Sequence, residues 1–459
     1  MNHHYFSEAE DTIAAIATPS GSGALAIIRV SGKEAIDIVN KIFYGKDLSE
    51  QDSHTVHFGT IRDGDKILDE VLVSIFRAPR SFTRENAAEI SCHGSEFIIR
   101  QIIQLLIRTG ARTARPGEFT KRAFLNGKMD LAQAEAVADL INSDSEAAHM
   151  AALNQMRGGF SLKIKQLREQ LIHFASMIEL ELDFAEEDVE FADREKLKQL
   201  VSDIKQVTEA LISSFDLGNV VKNGVPTVIA GKPNAGKSTL LNALLNEEKA
   251  MVSDIPGTTR DFIEDEINIG GITFRFTDTA GLRETVDKLE AMGIERTREK
   301  MKKASLIIYL FDVNSTTKEE LSKDIEELQA LNIPFIAAGN KIDADKGKPE
   351  AFQDFEDITY ISARDGIGLD ELKDKILGRV NAQDFKTGNT MVTNLRHYES
   401  LVNTKQALLT VLDAIDNGVT GDFLAMDIRN ALHYLGEITG EITNEDLLDN
   451  IFSKFCIGK

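Results

Sequence analysis

The sequence predicts a multidomain chain of mixed α/β and α class. An N-terminal α+β domain covers 1–118, a helical bundle domain is split between 119–223 and 381–459, and a doubly wound α/β domain over 224–380 is inserted into the bundle. Three observations lead there. The eight prolines leave two long gaps, one between Pro116 and Pro226 and one after Pro349. Both gaps are rich in Ala, Leu, Glu, Gln and Lys, the composition of helices. Before Pro116 the apolar spacing mixes strand and helix periods, and over 224–380 apolar strands alternate with helical stretches, the βα pattern of a doubly wound sheet.

Each element follows from its local pattern. Ala24–Val30 (ALAIIRV) reads as an apolar strand, Ser31–Phe43 as a helix, and Val56–Ile61, Ile67–Phe76 and Ala87–Cys92 as further strands. Glu96–Arg108 (EFIIRQIIQLLIR) carries apolar residues at helical spacing. Leu131–Ile141 and Leu162–Leu182 are amphipathic helices, and the acidic run Glu186-Glu187-Asp188 with Glu190 reads as a solvated loop. Thr227–Ala230, Phe274–Asp278, Leu306–Phe311 and Pro334–Ala338 are the strands of the inserted domain. Asn394–Ile415, Asp422–Leu435 and Asn444–Phe455 return to helix, and no repeat of 20–50 residues is evident.

Composition narrows the function classes. At 42% hydrophobic and 27% charged, the 459 residues have the make-up of a globular protein rather than a disordered one. No apolar run approaches the ~20 residues that cross a bilayer, and the start MNHHYFSEAEDT lacks the apolar core of a secretory signal. The two cysteines, Cys92 and Cys456, cannot make a disulfide framework. A cytoplasmic protein with no membrane association is expected. The net charge of −22 excludes a general nucleic-acid coat, so any action on RNA must use a local patch or a partner's surface.

The strongest motif is Gly231-Lys232-Pro233-Asn234-Ala235-Gly236-Lys237-Ser238, a full G-x-x-x-x-G-K-[ST] match between the strand PTVIA and the helix Thr239–Leu245. Such a loop turns backbone N–H groups toward phosphates, its lysine reaches the β- and γ-phosphates, and its hydroxyl binds Mg²⁺. Asn234, Ala235, Gly236, Lys237, Ser238 and Thr239 are therefore candidate nucleotide contacts. Asp278-Thr279-Ala280-Gly281 ends an apolar strand, where a carboxylate can hold Mg²⁺ through water and a glycine N–H can meet the γ-phosphate. Asn340-Lys341-Ile342-Asp343 follows another strand. Its Asp343 can accept the guanine N1–H and 2-amino hydrogens, a pair that adenine does not offer. Ser362, Ala363 and Arg364 supply backbone for guanine O6. These elements, in this order, specify a guanine-nucleotide site of Ras-like P-loop GTPase type. Between the first two lies a switch loop, Ser253, Asp254, Ile255, Pro256, Gly257, Thr258 and Thr259, in which Thr259 is the second Mg²⁺ ligand and senses the γ-phosphate. Leu282 follows Gly281 where Ras-like proteins carry a water-orienting glutamine. Hydrolysis then needs another group, or the protein is only a switch. Glu284, Asp287 and Glu290 are the nearby carboxylates, and no arginine finger can be assigned from spacing.

These motifs, with GTTRD, DTAGLRE, the N-terminal ATPSGSGALAIIRVSG, the block ARPGEFTKRAFLNGKMDLAQAEAVADLI and the C-terminal FCIGK, resemble the MnmE (TrmE) family of tRNA-modification GTPases over the whole chain. The resemblance implies a homodimer that works with the FAD-dependent MnmG (GidA) protein in a heterotetramer. Together they add an aminomethyl or carboxymethylaminomethyl group at C5 of the wobble uridine of certain tRNAs. It implies G domains that dimerise across a K⁺ ion held by Asn234, Ser253, Ile255 and Thr258, with serine replacing the family's frequent threonine at 253. It gives Glu290 the role of positioning the water indirectly, alongside Lys237 in catalysis; by spacing alone Glu290 is a solvated helix charge. Finally it implies a 5-formyltetrahydrofolate (or related one-carbon folate) site at Arg29, Glu89, Lys128 and Lys459. There a carboxylate can pair with the pterin and cations with the glutamate tail. Cys456 then either approaches the folate or is a small buried hydrophobe. His93, beside Cys92, and the His3-His4 pair read as structural.

Two other readings stay open on the residues alone. A ribosome-assembly GTPase would share the G motifs but carry a basic RNA-binding appendage, which this acidic chain lacks. A folate enzyme with a regulatory G domain would show an acid/base pair outside the G motifs, and none is identifiable.

Overall fold

The computed structural model describes residues 11–183, 194–251, 264–277, 301–302, 304–344, 352–355, 357–380 and 391–459. The chain packs as two compact units. One joins 1–138 to 155–202 and 403–459, and the other joins 139–154 to 203–402.

The first unit is built on a seven-stranded sheet of β1 (Ile13–Ile16), β2 (Leu25–Ser31), β3 (Phe43–Tyr44), β4 (Thr55–Asp63), β5 (Lys66–Phe76), β6 (Ala87–His93) and β7 (Arg112–Thr113), in the order β3-β4-β5-β6-β2-β1-β7. Its pairs are antiparallel except β1 with β7. Alternate residues of the central strands, Ile28 and Val30, Val71 and Val73, Ala88 and Ile90, bury against the helices Ala35–Ile42 and Glu96–Thr109. The other residues of these strands face the opposite side of the sheet. The helix expected over Ser31–Phe43 is shorter. Ser31 still belongs to β2, Gly32 turns with φ 141°, and the helix begins at Ala35. In the same unit the long helix Gly159–Asp183 packs on Gly421–Thr439, and Glu445–Phe452 packs on Leu131–Asn142 through Leu131, Ala134, Leu448 and Phe452. The last helix stops at Phe452, three residues before the sequence pattern ends it, and Phe455 N–H turns back to the Phe452 carbonyl.

The second unit holds a six-stranded sheet of β8 (Val225–Ala230), β9 (Glu264–Ile269), β10 (Ile272–Thr277), β11 (Leu306–Asp312), β12 (Phe335–Asn340) and β13 (Ile358–Ile361), ordered β13-β12-β11-β8-β10-β9. All pairs are parallel except the β9–β10 hairpin. The central strands are mostly apolar because both faces are covered, with Asp312 and Asn340 at the ends of β11 and β12. Leu306, Ile308 and Leu310 pack with Leu240, Leu244, Leu372 and Ile376 on one side, while Ile307, Tyr309 and Phe311 pack with Leu321 and Leu328 on the other. This is the doubly wound arrangement. The strand β9 is an addition to the elements expected from sequence. Its turn is Gly270-Gly271, both at positive φ (59° and 85°), the chemistry of a two-residue hairpin. The segment 139–154 reaches that turn: Ala147 N–H donates to Gly271 O and Thr273 Oγ1 donates to Asp144.

Candidate functional sites

The phosphate loop joins β8 to the helix Lys237–Met251. Gly231 (φ 144°) and Gly236 (φ 99°) adopt backbone that side chains rarely reach, and a Cβ on either would overlap Leu310 O or Asn340 Nδ2. The loop therefore lies against β11 and β12 with no intervening side chain, a cradle that fits the phosphates of a nucleotide. Asn234 is exposed at the loop's crest with φ 62°. The Lys237 ammonium donates to Gly231 O at 2.8 Å and Lys232 O at 2.9 Å, and burial holds its pKa below the ordinary lysine value. Ser238 is half-buried in the first helical turn and Thr239 is exposed.

The guanine-side residues converge on this loop. Asn340, at the end of β12 and 2% exposed, donates Nδ2–H to Ala235 O at 2.8 Å. Its Oδ1 accepts the Ala363 N–H at 3.0 Å. Ser362 Oγ donates to Asp343 Oδ1 at 2.7 Å and accepts the Asp365 N–H at 3.2 Å, which leaves the exposed Asp343 carboxylate fixed but accessible. Arg364 is exposed. Lys341, at φ 69°, pairs with Asp312 at 2.8 Å, and its carbonyl accepts from Asn314. Burial alone would raise the Asp312 pKa, but the bonds from Lys341 and Asn314 bring it below the usual carboxylate value. Sequence reasoning misses Asp312; its signal is its place at the end of β11, beside the strand that carries Asn340. Ser253, Asp254, Ile255, Pro256, Gly257, Thr258, Thr259, Asp278, Thr279, Ala280, Gly281 and Glu290 lie outside the described residues, as do Leu282 and His3-His4.

In the first unit Arg29 and Glu89 face each other across β2 and β6. Arg29 Nε and Nη2 both reach Glu89 Oε1, at 2.9 and 2.8 Å, and Nη1 donates to the Gly458 carbonyl at 3.4 Å. The guanidinium lies over the Phe82 and Phe119 rings, 5.5 and 5.7 Å from their centroids. The C-terminal pentapeptide is thereby brought to the N-terminal sheet. A Cβ on Gly458 would overlap Ile16 O, and Gly117 N–H donates to Cys456 O. Lys459 is half-buried and Lys128 exposed. Cys456 is exposed, which overturns its reading as a small buried hydrophobe. His93 donates its backbone N–H and pairs its Nδ1 with the buried Asp69 carboxylate at 2.8 and 2.7 Å.

A charged network that the sequence does not reveal lies behind Arg29. Glu118 accepts from Arg112 at both oxygens (2.9 and 2.6 Å), from Arg115 N–H and from Arg122. Burial would raise the Glu118 pKa, but the Arg112 and Arg115 hydrogen bonds and the Arg122 charge bring it below the usual carboxylate value. Arg122, 5% exposed, also bonds Glu85.

Among the described residues no helix is long and apolar enough to cross a membrane. Two family models match the chain: the N-terminus of the GTP-binding protein TrmE over residues 12–128, and the MnmE helical domain over 131–456. A Cytophaga hutchinsonii protein named tRNA modification GTPase MnmE is 63% identical over 450 residues, covering 98% of both chains. Relatives of the same name from Christiangramia forsetii and Flavobacterium psychrophilum are each 53% identical, over 98% of this chain and 99% of theirs.

Proposed function

The chain belongs to the MnmE family of tRNA modification GTPases, and from that premise we propose that it is a K⁺-activated, Mg²⁺-dependent GTPase of the cytoplasm. With a FAD-dependent MnmG (GidA) partner it adds an aminomethyl or carboxymethylaminomethyl group at C5 of the wobble uridine of certain tRNAs. The G domain of 224–380 carries the nucleotide, the domain of 1–118 carries a one-carbon folate, and the helical parts 119–223 and 381–459 join them.

The observation that carries the nucleotide half is the Asn340 side chain, which ties the guanine loop to the phosphate loop in one rigid unit. Asp343 accepts the guanine N1–H and 2-amino hydrogens, and the backbone at Ser362, Ala363 and Arg364 meets O6. Lys237 leaves its two carbonyl partners for the phosphates and neutralises charge that builds on them. Ser238 and Thr259 are the hydroxyls that would hold Mg²⁺. Asn234 offers an exposed amide oxygen for K⁺, completed by Ser253, Ile255 and Thr258. A K⁺ ion held there would supply the positive charge that an arginine finger would otherwise give, and Glu290 positions the attacking water indirectly.

For the folate half, Arg29 engages only Oε1 of Glu89, so Oε2 offers an acceptor to the pterin N–H groups, while Lys128 and Lys459 meet carboxylates of the tail. Homodimer formation is supported by Val56, Phe58 and Leu72. These stand 60%, 67% and 46% exposed on the paired strands β4 and β5, an apolar face that a second copy would cover. Mass spectrometry of tRNA nucleosides from cells lacking the protein tests the whole reading. Loss of the C5-modified wobble uridine, restored by the gene, is expected; an unchanged nucleoside profile refutes it.

A further inference from the structure

Arg29 is held by more than its carboxylate partner. Its guanidinium lies over two phenyl rings, 5.5 and 5.7 Å from their centroids, and each ring comes from a different element. Phe82 sits in the connection between β5 and β6, and Phe119 sits in the helix Glu118–Leu125. Neither element is fastened to the other by apolar packing alone. Ser31, two residues along β2 from Arg29, bonds Thr83 at 2.6 Å and Glu85 at 2.8 Å. That fixes the Phe82 connection on the Arg29 strand. Glu85 in turn accepts from Arg122 Nη1 at 3.1 and 3.2 Å, and Arg122 Nη2 reaches Glu118 at 3.1 Å. The same Nη1 donates to the Asp11 carbonyl at 2.8 Å. Arg122 therefore joins the residues flanking one ring to those flanking the other.

We propose that Arg122 is a positioning residue for the folate site: by bridging Glu85 to Glu118 it sets the spacing of Phe82 and Phe119 and so fixes the Arg29–Glu89 pair that receives the pterin. The inference rests on the folate reading above and names the group that makes that site rigid. The physical reason is the cost of the arrangement. Well-packed apolar side chains would stabilise a buried position at least as well as an ion pair, because charges lose more on leaving water than they regain from each other. A planar fork that serves two carboxylates from two elements is suited instead to fixing a geometry. Receptor groups act only when their supporting shell holds them within about half an ångström of the productive position.

The test is calorimetric titration of the full chain with 5-formyltetrahydrofolate, with GTPase rate and thermal midpoint measured on the same samples. Arg122→Lys keeps the charge but cannot span both carboxylates. It should weaken folate binding about tenfold while leaving GTP hydrolysis unchanged. Phe82→Leu should weaken it about fivefold by removing one aromatic ring from Arg29. If Arg122 acts through the rings, the double variant binds no more weakly than Arg122→Lys alone. Ser31→Ala, which touches the network at its far end, should lower affinity about threefold and serves if Arg122→Lys lowers the thermal midpoint. An Arg122→Lys protein that binds as tightly as the unsubstituted chain overturns the inference, and so do fully additive losses in the double variant. Absence of binding by the unsubstituted chain instead refutes the folate reading itself.

Discussion

Asn340 closes the nucleotide site from the side: its Nδ2 donates to the Ala235 carbonyl of the phosphate loop at 2.8 Å, in a place that is 2% exposed. Asn340→Ala leaves that carbonyl and the Ala363 N–H buried without this partner. Each orphaned group costs about 1–3 kcal/mol. The variant should bind GDP and GTP at least tenfold more weakly, because the loop that grips the phosphates and the loop that grips the base loosen together. Fluorescent-nucleotide titration measures this, and an affinity equal to the parent would show that the two loops hold their geometry independently.

Asp343 should govern the choice of base. Ser362 fixes one of its oxygens, and Asp343→Asn replaces an acceptor pair by a group that is partly a donor. GTP binding should weaken by about 2–4 kcal/mol and xanthine nucleotide should become the better ligand. A competition assay between GTP and XTP reads the exchange; unchanged GTP affinity would falsify the assignment.

Hydrolysis should depend on K⁺. Rates measured in KCl and NaCl at equal ionic strength should differ strongly, because Na⁺ is smaller and fits the oxygen set at Asn234 poorly. Asn234→Ala should abolish the difference while retaining nucleotide binding. Equal rates in the two salts would sink the idea.

The two sites should be separable by mutation. Lys237→Ala should lose GTPase activity and keep folate binding, and Arg29→Ala should do the reverse. Both should fail to restore the modified uridine in cells. If Lys237→Ala supports full modification, hydrolysis is not coupled to the chemistry.

Glu118 should make the first unit acid-sensitive. Its pKa is lowered in the fold from an ordinary value of 4.5, so its contribution is full above that value and is lost as pH falls through the folded value. Glu118→Gln should cost about 1–3 kcal/mol at pH 7, since it removes a charged partner from Arg112 and Arg122, which keep Asp11 and Glu85 respectively. The deficit should shrink as pH falls below the ordinary value. Urea unfolding at neutral and acid pH measures it, and a deficit independent of pH would assign the loss to packing.

What could be read in the sequence was set by range. The phosphate loop and Asn340-Lys341-Ile342-Asp343 are contiguous runs next to apolar strands, so their residue types and their placement are visible together. The strands β8 and β11 are equally plain, because two-sided burial leaves them mostly apolar, broken only by Thr227 in one and ended by Asp312 in the other. β1 (IAAI) is short and alanine-rich, and β9 (EDEINI) is half acidic, so neither stands out before its partner strand is known. Glu85, Arg112, Glu118 and Arg122 look like scattered surface charges until folding buries them together. Arg29 and Glu89 are legible through the family resemblance alone; their direct pairing is a matter of strand register, which one sequence does not display.

The hydrogen bond between Arg29 and Gly458 spans 429 positions of the chain. Domains form in the order in which they leave the ribosome, so the sheet that carries Arg29 is made well before the carbonyl that meets it. A nascent chain can thus shape its G domain before Gly458 exists, but the contacts of Arg29 are complete only once Gly458 has been made. A stop between the inserted domain and Gly458 would leave the Arg29 guanidinium without its C-terminal partner.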